Sequence, residues 1–181
     1  MIENKSPKVL AFNPDLWTAL GGFQVNWAGI ELITDYAICL FLEITYEQTH
    51  LITSGMMFGS KAKLLSDLIS KSDHANKAAI KTAFNKIRGD TKRDVFAHCY
   101  INSTTKTVQF IERPRGGEYR AVVHEFTLQE LIDHTTKIAR TAVEFSAAIG
   151  AEPDKVSAFA EAALSLSRKS KMSPHEPQDK E

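Results

Sequence analysis

Cysteine is scarce in this 181-residue chain: there are two, Cys39 and Cys99. Cys39 sits in an apolar helical run and Cys99 beside a charged stretch. That excludes a disulfide framework as the basis of the fold and points to a reduced, cytoplasmic setting. Net charge is also missing. Lys plus Arg and Asp plus Glu both total 22, so no global field would hold a polyanion, and any anion site has to be local. No long hydrophobic run stands out. The most apolar stretch, "AICLFLEI" from Ala37, is too short and too charged at its edges to span a bilayer, so no membrane partner is expected. The opening "MIENKSPKVLAFNPDLW" carries no apolar core behind basic residues, and no signal peptide is read there. Glycine-rich phosphate loops are absent, because Gly21-Gly22 and Gly116-Gly117 lack the rest of such a pattern. His50, His74, His124, His134 and His175 show no metal-ligand spacing, and His124-Glu125 lacks the second histidine of a zinc-protease motif. Neither a metal nor a cofactor is expected.

What is present is ordinary globular composition, 43% hydrophobic and 24% charged. "NPDLW" offers Asn13 as a helix cap and Pro14 as the first helical residue, with a break or bend expected at Gly21-Gly22. From Phe23 to about Ile44 the pattern is helical, with Trp27, Ile30, Ile33 or Thr34, Ala37, and Leu40 or Phe41 near one face. Glu31 and Asp35 lie one turn apart on that helix. A short helix follows, roughly Glu47–Ser54, then a "GMMFGS" loop with Ser60 as a cap. "KAKLLSDLISK" reads as an amphipathic helix with Leu64, Leu65, Leu68 and Ile69 inward. Ser72 and Asp73 look like caps for the next helix, carried by Ile80, Ala83 or Phe84, and Ile87, with a bend or break at Gly89-Asp90. Trp17, Trp27, Phe41 and Phe58 read most simply as core.

After His98 the period changes. The segment from Cys99 to Phe126 alternates and is rich in β-branched and aromatic residues. It predicts two or three short strands with turns at residues 103–106 and 113–117. Thr127-x-x-Glu130 is a capping box that opens a long helix to about Ile149. A last helix over 151–169 and a polar, disordered tail over 170–181 complete the chain. The expected fold is mainly α, with a small antiparallel β-meander before a long C-terminal helix. It is read as one domain over 1–150 with the β insertion at about 99–126.

One stretch carries candidate chemistry: "KRDVFAHCY", Lys92–Tyr100. With seven arginines and six histidines, an arginine followed by histidine after four to six residues arises about once by chance, and a second match, Arg168…His175, lies in the expected tail. Context separates the two. Arg93 is followed by Asp94, then Val95, Phe96 and Ala97 carry an expected buried helical segment into His98. Upstream stand a helix bearing Trp27 and Glu31, a short connector helix and the "K-x-x-LL" helix. In this order and over roughly Phe23–Tyr100, the sequence resembles the HEPN superfamily. That family's signature is Arg, a polar residue (Asn, Asp or His), three to five intervening residues and then His; Arg93-Asp94-Val95-Phe96-Ala97-His98 fits the six-residue version. Asp94 departs from the commoner Asn within that pattern.

The resemblance implies an HEPN-like helical bundle and a homodimer in which two Arg/His pairs face each other. It also implies a metal-independent endoribonuclease in defence or toxin–antitoxin biology. Arg93 would bind the phosphate, since a guanidinium is always charged and can grip two oxygens. His98 would be the general acid/base near neutral pH, and Asp94 would orient the pair. Tyr100 extends the match toward toxins whose tyrosine accepts AMP from a nucleotidyltransferase partner. The favoured alternative is a strand tyrosine with its hydroxyl at the surface. From Lys77 to Asp94, six cations, Arg88 and Lys92 among them, stand against two anions. That excess would steer RNA or simply solvate a helix face. Arg113, Arg115 and Arg120 would add to a groove. The competing reading is a non-catalytic dimerisation or binding module, with Arg93 paired to Asp94 or Asp90 and His98 a satisfied, half-buried histidine.

Overall fold

The computed structural model describes residues 13–112 and 121–170; the side chains of Asp90, His98 and residues 167–170 lie outside the description. The turn at 113–117, Arg113, Arg115, Arg120, His175 and the tail therefore fall outside it, as does the first part of the N-terminal stretch. Among the described residues, seven helices and one three-stranded sheet follow in order. They are α1 (Pro14–Leu42), α2 (Tyr46–Thr53), α3 (Phe58–Lys71), α4 (Lys77–Asp90), α5 (Arg93–His98), β1 (Tyr100–Ser103), β2 (Thr107–Glu112), β3 (Val122–Thr127), α6 (Leu128–Ala148) and α7 (Pro153–Ser170). The mainly helical class with a small antiparallel sheet before a long helix is as expected. Arg168 belongs to the last turn of α7 rather than to the tail.

The chain packs as two compact units. The first holds the stretch up to Gly29 and Ala83–Glu144; the second holds Ile30–Thr82 and the stretch from Phe145 on.

In the first unit, Asn13 caps α1 as read: its Oδ1 accepts from the Asp15 and Leu16 amides at 3.0 and 3.4 Å. The expected break at Gly21-Gly22 does not occur, and α1 runs unbroken for 29 residues. Two glycines cost about 1 kcal/mol each in a helix. Against that, Leu16, Ala19, Leu20, Phe23 and Trp27 form one continuous buried stripe across them. Gly22 also faces α6 closely: a Cβ there would stand 3.4 Å from Thr135 Cγ2. Nearby, Asn26 donates to the Thr135 carbonyl at 3.3 Å. Trp17, expected in the core, is 37% exposed.

The sheet has the order β1-β2-β3, antiparallel throughout. Its register aligns Ser103, Val108 and Phe126, and next to them Ile101, Phe110 and His124. The buried Val108, Phe110 and Phe126 place the core on that face. The Thr127–Glu130 capping box forms as predicted, with the Glu130 carboxylate accepting from the Thr127 amide and hydroxyl at 2.8 and 2.9 Å.

The second unit is built on Ile30, Tyr36, Ala37, Ile38, Leu65, Ile69, Ile80 and Phe159, all buried. Leu40 is 40% exposed, so Phe41 of that predicted pair is the more covered. α3 begins at Phe58 with Met57 as its cap, not Ser60, and Ser72 closes α3 rather than opening α4. Lys77 explains the second shift. Its Nζ donates to the Ser70 and Ser72 carbonyls at 2.6 and 3.0 Å, neutralising the carbonyl end of α3. Lys61, an unexpected core member, pairs with Asp35 at 2.7 Å, the two side chains 10% and 13% exposed. By length and composition α1 is apolar enough to cross a membrane, a test the core helix of a soluble protein also passes.

Candidate functional site

The predicted motif lies wholly in the first unit, and a turn launches it. At the end of α4 the Thr91 side chain, 3% exposed, donates to the Ile87 carbonyl at 2.9 Å. Lys92 then adopts φ 47° and ψ 30°, a left-handed conformation that costs a non-glycine residue about 1 kcal/mol. The Lys92 carbonyl accepts from the Val95 and Phe96 amides at 3.0 and 3.3 Å, and no side chain caps α5. The break expected near Gly89-Asp90 is thus real but falls at Thr91-Lys92.

α5, six residues long, spans less than two turns and is too short to hold itself. Phe96 holds it. Its ring lies 4.4 Å from Phe23, 4.7 Å from Phe110, 5.1 Å from His134 and 5.3 Å from Phe126. Helix α1, the sheet and helix α6 thereby all grip one residue. The expectation that Val95, Phe96 and Ala97 are all buried is corrected: Phe96 is, Val95 is half-buried and Ala97 is exposed. A single buried position suffices for a six-residue helix; Asp94 and Ala97 face outward.

Arg93 is the first residue of α5 and His98 its last. The Arg93 side chain is 24% exposed, with Nη1 3.1 Å from Asp94 Oδ1, while Asp94 is 87% exposed. The guanidinium carbon stands 5.9 Å from the Trp27 ring centre, inside the range of a cation–π contact. Lys92, exposed at the turn, holds its ammonium 5.3 Å over the Phe126 ring. Cys99 continues in extended backbone; burial pushes its thiol pKa up, and Glu112 and Asp94 add to the shift. It is therefore a poor thiolate nucleophile. Tyr100, 57% exposed, opens β1.

Of the other cations, Arg88 on α4 is exposed. Lys86 is spent on Glu144 at 2.8 Å and Lys77 on the α3 carbonyls. The basic excess is thus smaller than the sequence count, and Arg88, Lys92 and Arg93 are its part nearest the motif.

Two histidines to which the sequence assigns no role, His124 and His134, find partners in the fold. His124 Nε2 stands 3.2 Å from Glu112 Oε2 across the sheet. His134 on α6 donates from Nε2 to the Thr91 carbonyl at 2.9 Å. It also stacks on Phe23 as well as Phe96, with ring centres 6.1 Å apart in the former pair. A signal existed for the second: Leu131, His134, Ile138, Thr141 and Phe145 follow helical spacing and put the histidine on the inward stripe.

The chain matches no family model, no curated protein and no solved structure.

Proposed function

We propose that the chain is a HEPN-like, metal-independent endoribonuclease acting as a homodimer, with Arg93 and His98 of both copies at the shared site. The observation that carries this reading is the launch of α5. Arg93 and His98 begin and end one short helix that Phe96 fixes at a single point, and Asp94 holds the guanidinium. Arg93 grips the phosphate. His98 takes the 2′-hydroxyl proton or returns one to the leaving 5′-oxygen. Bond cleavage then leaves a 2′,3′-cyclic phosphate. Arg88, Lys92 and Tyr100 border the motif as RNA contacts. A cytoplasmic toxin–antitoxin or defence role, with an antitoxin or nucleotidyltransferase partner, belongs to the same proposal.

One observation favours a second reading. Arg93 is three-quarters covered, tied to Asp94 and set against Trp27, which is how an arginine that only secures a helix is held. In that reading the chain is a dimerisation or binding module. Incubation of mixed RNA in EDTA with wild type, Arg93→Lys and His98→Ala separates the two. Metal-free cleavage that both variants lose supports the ribonuclease; intact RNA with folded wild type removes it and leaves the module.

A further inference from the structure

We propose that His134 is a positioning residue for α5: from α6 it clamps the Thr91 carbonyl and so sets how Arg93 leaves the turn. Four features of the turn lead there. Thr91 is buried and its hydroxyl already serves α4. Lys92 is held in the left-handed region, a conformation that persists only where its surroundings over-determine it. α5 has no side-chain cap. The Thr91 carbonyl receives the His134 Nε2–H at 2.9 Å, and the same ring lies against Phe96, the anchor of α5, at 5.1 Å and 16°. One side chain thus fixes both the start of the turn and the centre of the helix. Because a carbonyl only accepts, Nε2 carries the hydrogen and the neutral ring keeps its lone pair on Nδ1.

The clamp works with a neutral imidazole. Burial holds the His134 pKa below the usual histidine value, the Thr91 hydrogen bond opposes that, and Lys92 and Lys137 add to the lowering. Those two cations, from the turn and from α6 itself, are its charged neighbours; Phe23 on α1, Phe96 on α5 and the Thr91 carbonyl bring none. Protonation puts a third positive charge among them inside an aromatic stack. Acid therefore loosens the turn. The effect begins as pH falls below the ordinary histidine value and is complete below the lowered one.

The consequence for cleavage rests on the ribonuclease reading; the clamp does not. Amide exchange of Lys92–Phe96 in the full chain is compared at pH 7.5 and 5.5 for wild type, His134→Gln and His134→Phe, after correction for intrinsic rates. Gln keeps a donor at the same reach but cannot titrate; Phe keeps the stack but cannot donate. The expected result is exchange about tenfold faster in His134→Phe at both pH values, the scale of one buried hydrogen bond. Wild type should accelerate on acidification, and His134→Gln should not. Should His134→Phe fail to fold, the missing acid response of His134→Gln carries the test. Equal acid responses in wild type and His134→Gln, or normal protection in His134→Phe, overturn the proposal. RNA cleavage on the same samples separates the failures: inactive wild type with the predicted exchange pattern sinks the ribonuclease alone, while active wild type without it sinks the clamp alone.

Discussion

The two units use one device with opposite consequences. In the first, His134 donates to the Thr91 carbonyl and stacks on Phe96 and Phe23. In the second, His50 donates from Nε2 to the Phe159 carbonyl at 2.7 Å and lies 4.1 Å from the Phe159 ring. The side chains make nearly the same contacts. The acceptors differ: Phe159 lies inside α7, where the helix supplies its own amide four residues on, whereas Thr91 stands in a turn. The imidazole is an extra partner in one unit and a chief partner in the other. The burial of charge differs as well. The second unit encloses an ion pair, Lys61–Asp35, whose Asp35 Oδ1 is buried with no hydrogen-bond partner among the described residues. In the first unit, burial holds the pKa of half-buried His134 below the usual histidine value. A half-satisfied buried ion pair is costly to disturb, while a neutral donor costs about one hydrogen bond.

That contrast is broken most severely at Lys61. Lys61→Met leaves the Asp35 carboxylate enclosed and uncompensated, and should lower stability by about 3–5 kcal/mol in urea unfolding. Adding Asp35→Leu should recover most of the loss, because an apolar pair of similar volume is often neutral. A double variant as unstable as Lys61→Met would show that the pair is held for packing rather than charge. The histidines come next. His134→Phe should cost about 1–2 kcal/mol by stranding the Thr91 carbonyl. His50→Phe should cost clearly less by the same measurement, because Phe159 keeps its helical partner. Equal losses would erase the distinction between turn and helix acceptors.

How far the sequence revealed this follows from what each signal measures. Capping and periodicity are local, so Asn13, the Thr127–Glu130 box and the inward stripes of α3 and α4 were legible. The α1 break was misread because glycine's cost is local, while the buried stripe from Leu16 to Trp27 that outweighs it is not. Lys61 is absent from the inward residues read for α3, because nothing nearby in sequence announces Asp35, 26 residues upstream. At the candidate site the outer residues were visible as a motif: Arg93, Asp94, His98. What holds them was not, since Phe23, Phe126 and His134 meet Phe96 only through tertiary packing. The basic count misled for the same reason, two of its lysines being committed to partners that folding supplies.

The finest difference lies in two helix starts built to one plan. Thr45 and Gln48 close a capping box on α2, and Thr127 and Glu130 close one on α6. Gln48 cannot titrate. The Thr127 amide and hydroxyl hold the Glu130 carboxyl below the usual range, with Lys92 adding to the shift. A lowered folded pKa means this box contributes fully above the ordinary glutamate value and loses its contribution as pH falls through the lowered one. Thr45→Ala should therefore cost about 1 kcal/mol, by the same amount at pH 7 and pH 3. Thr127→Ala should cost more at pH 7 than at pH 3, and Glu130→Gln should remove that dependence. Urea unfolding of the three variants at both pH values reads this directly. A pH-independent loss in Thr127→Ala would mean that the hydroxyl's bond to the Glu130 amide, at 3.3 Å, does the capping and the carboxylate contributes little.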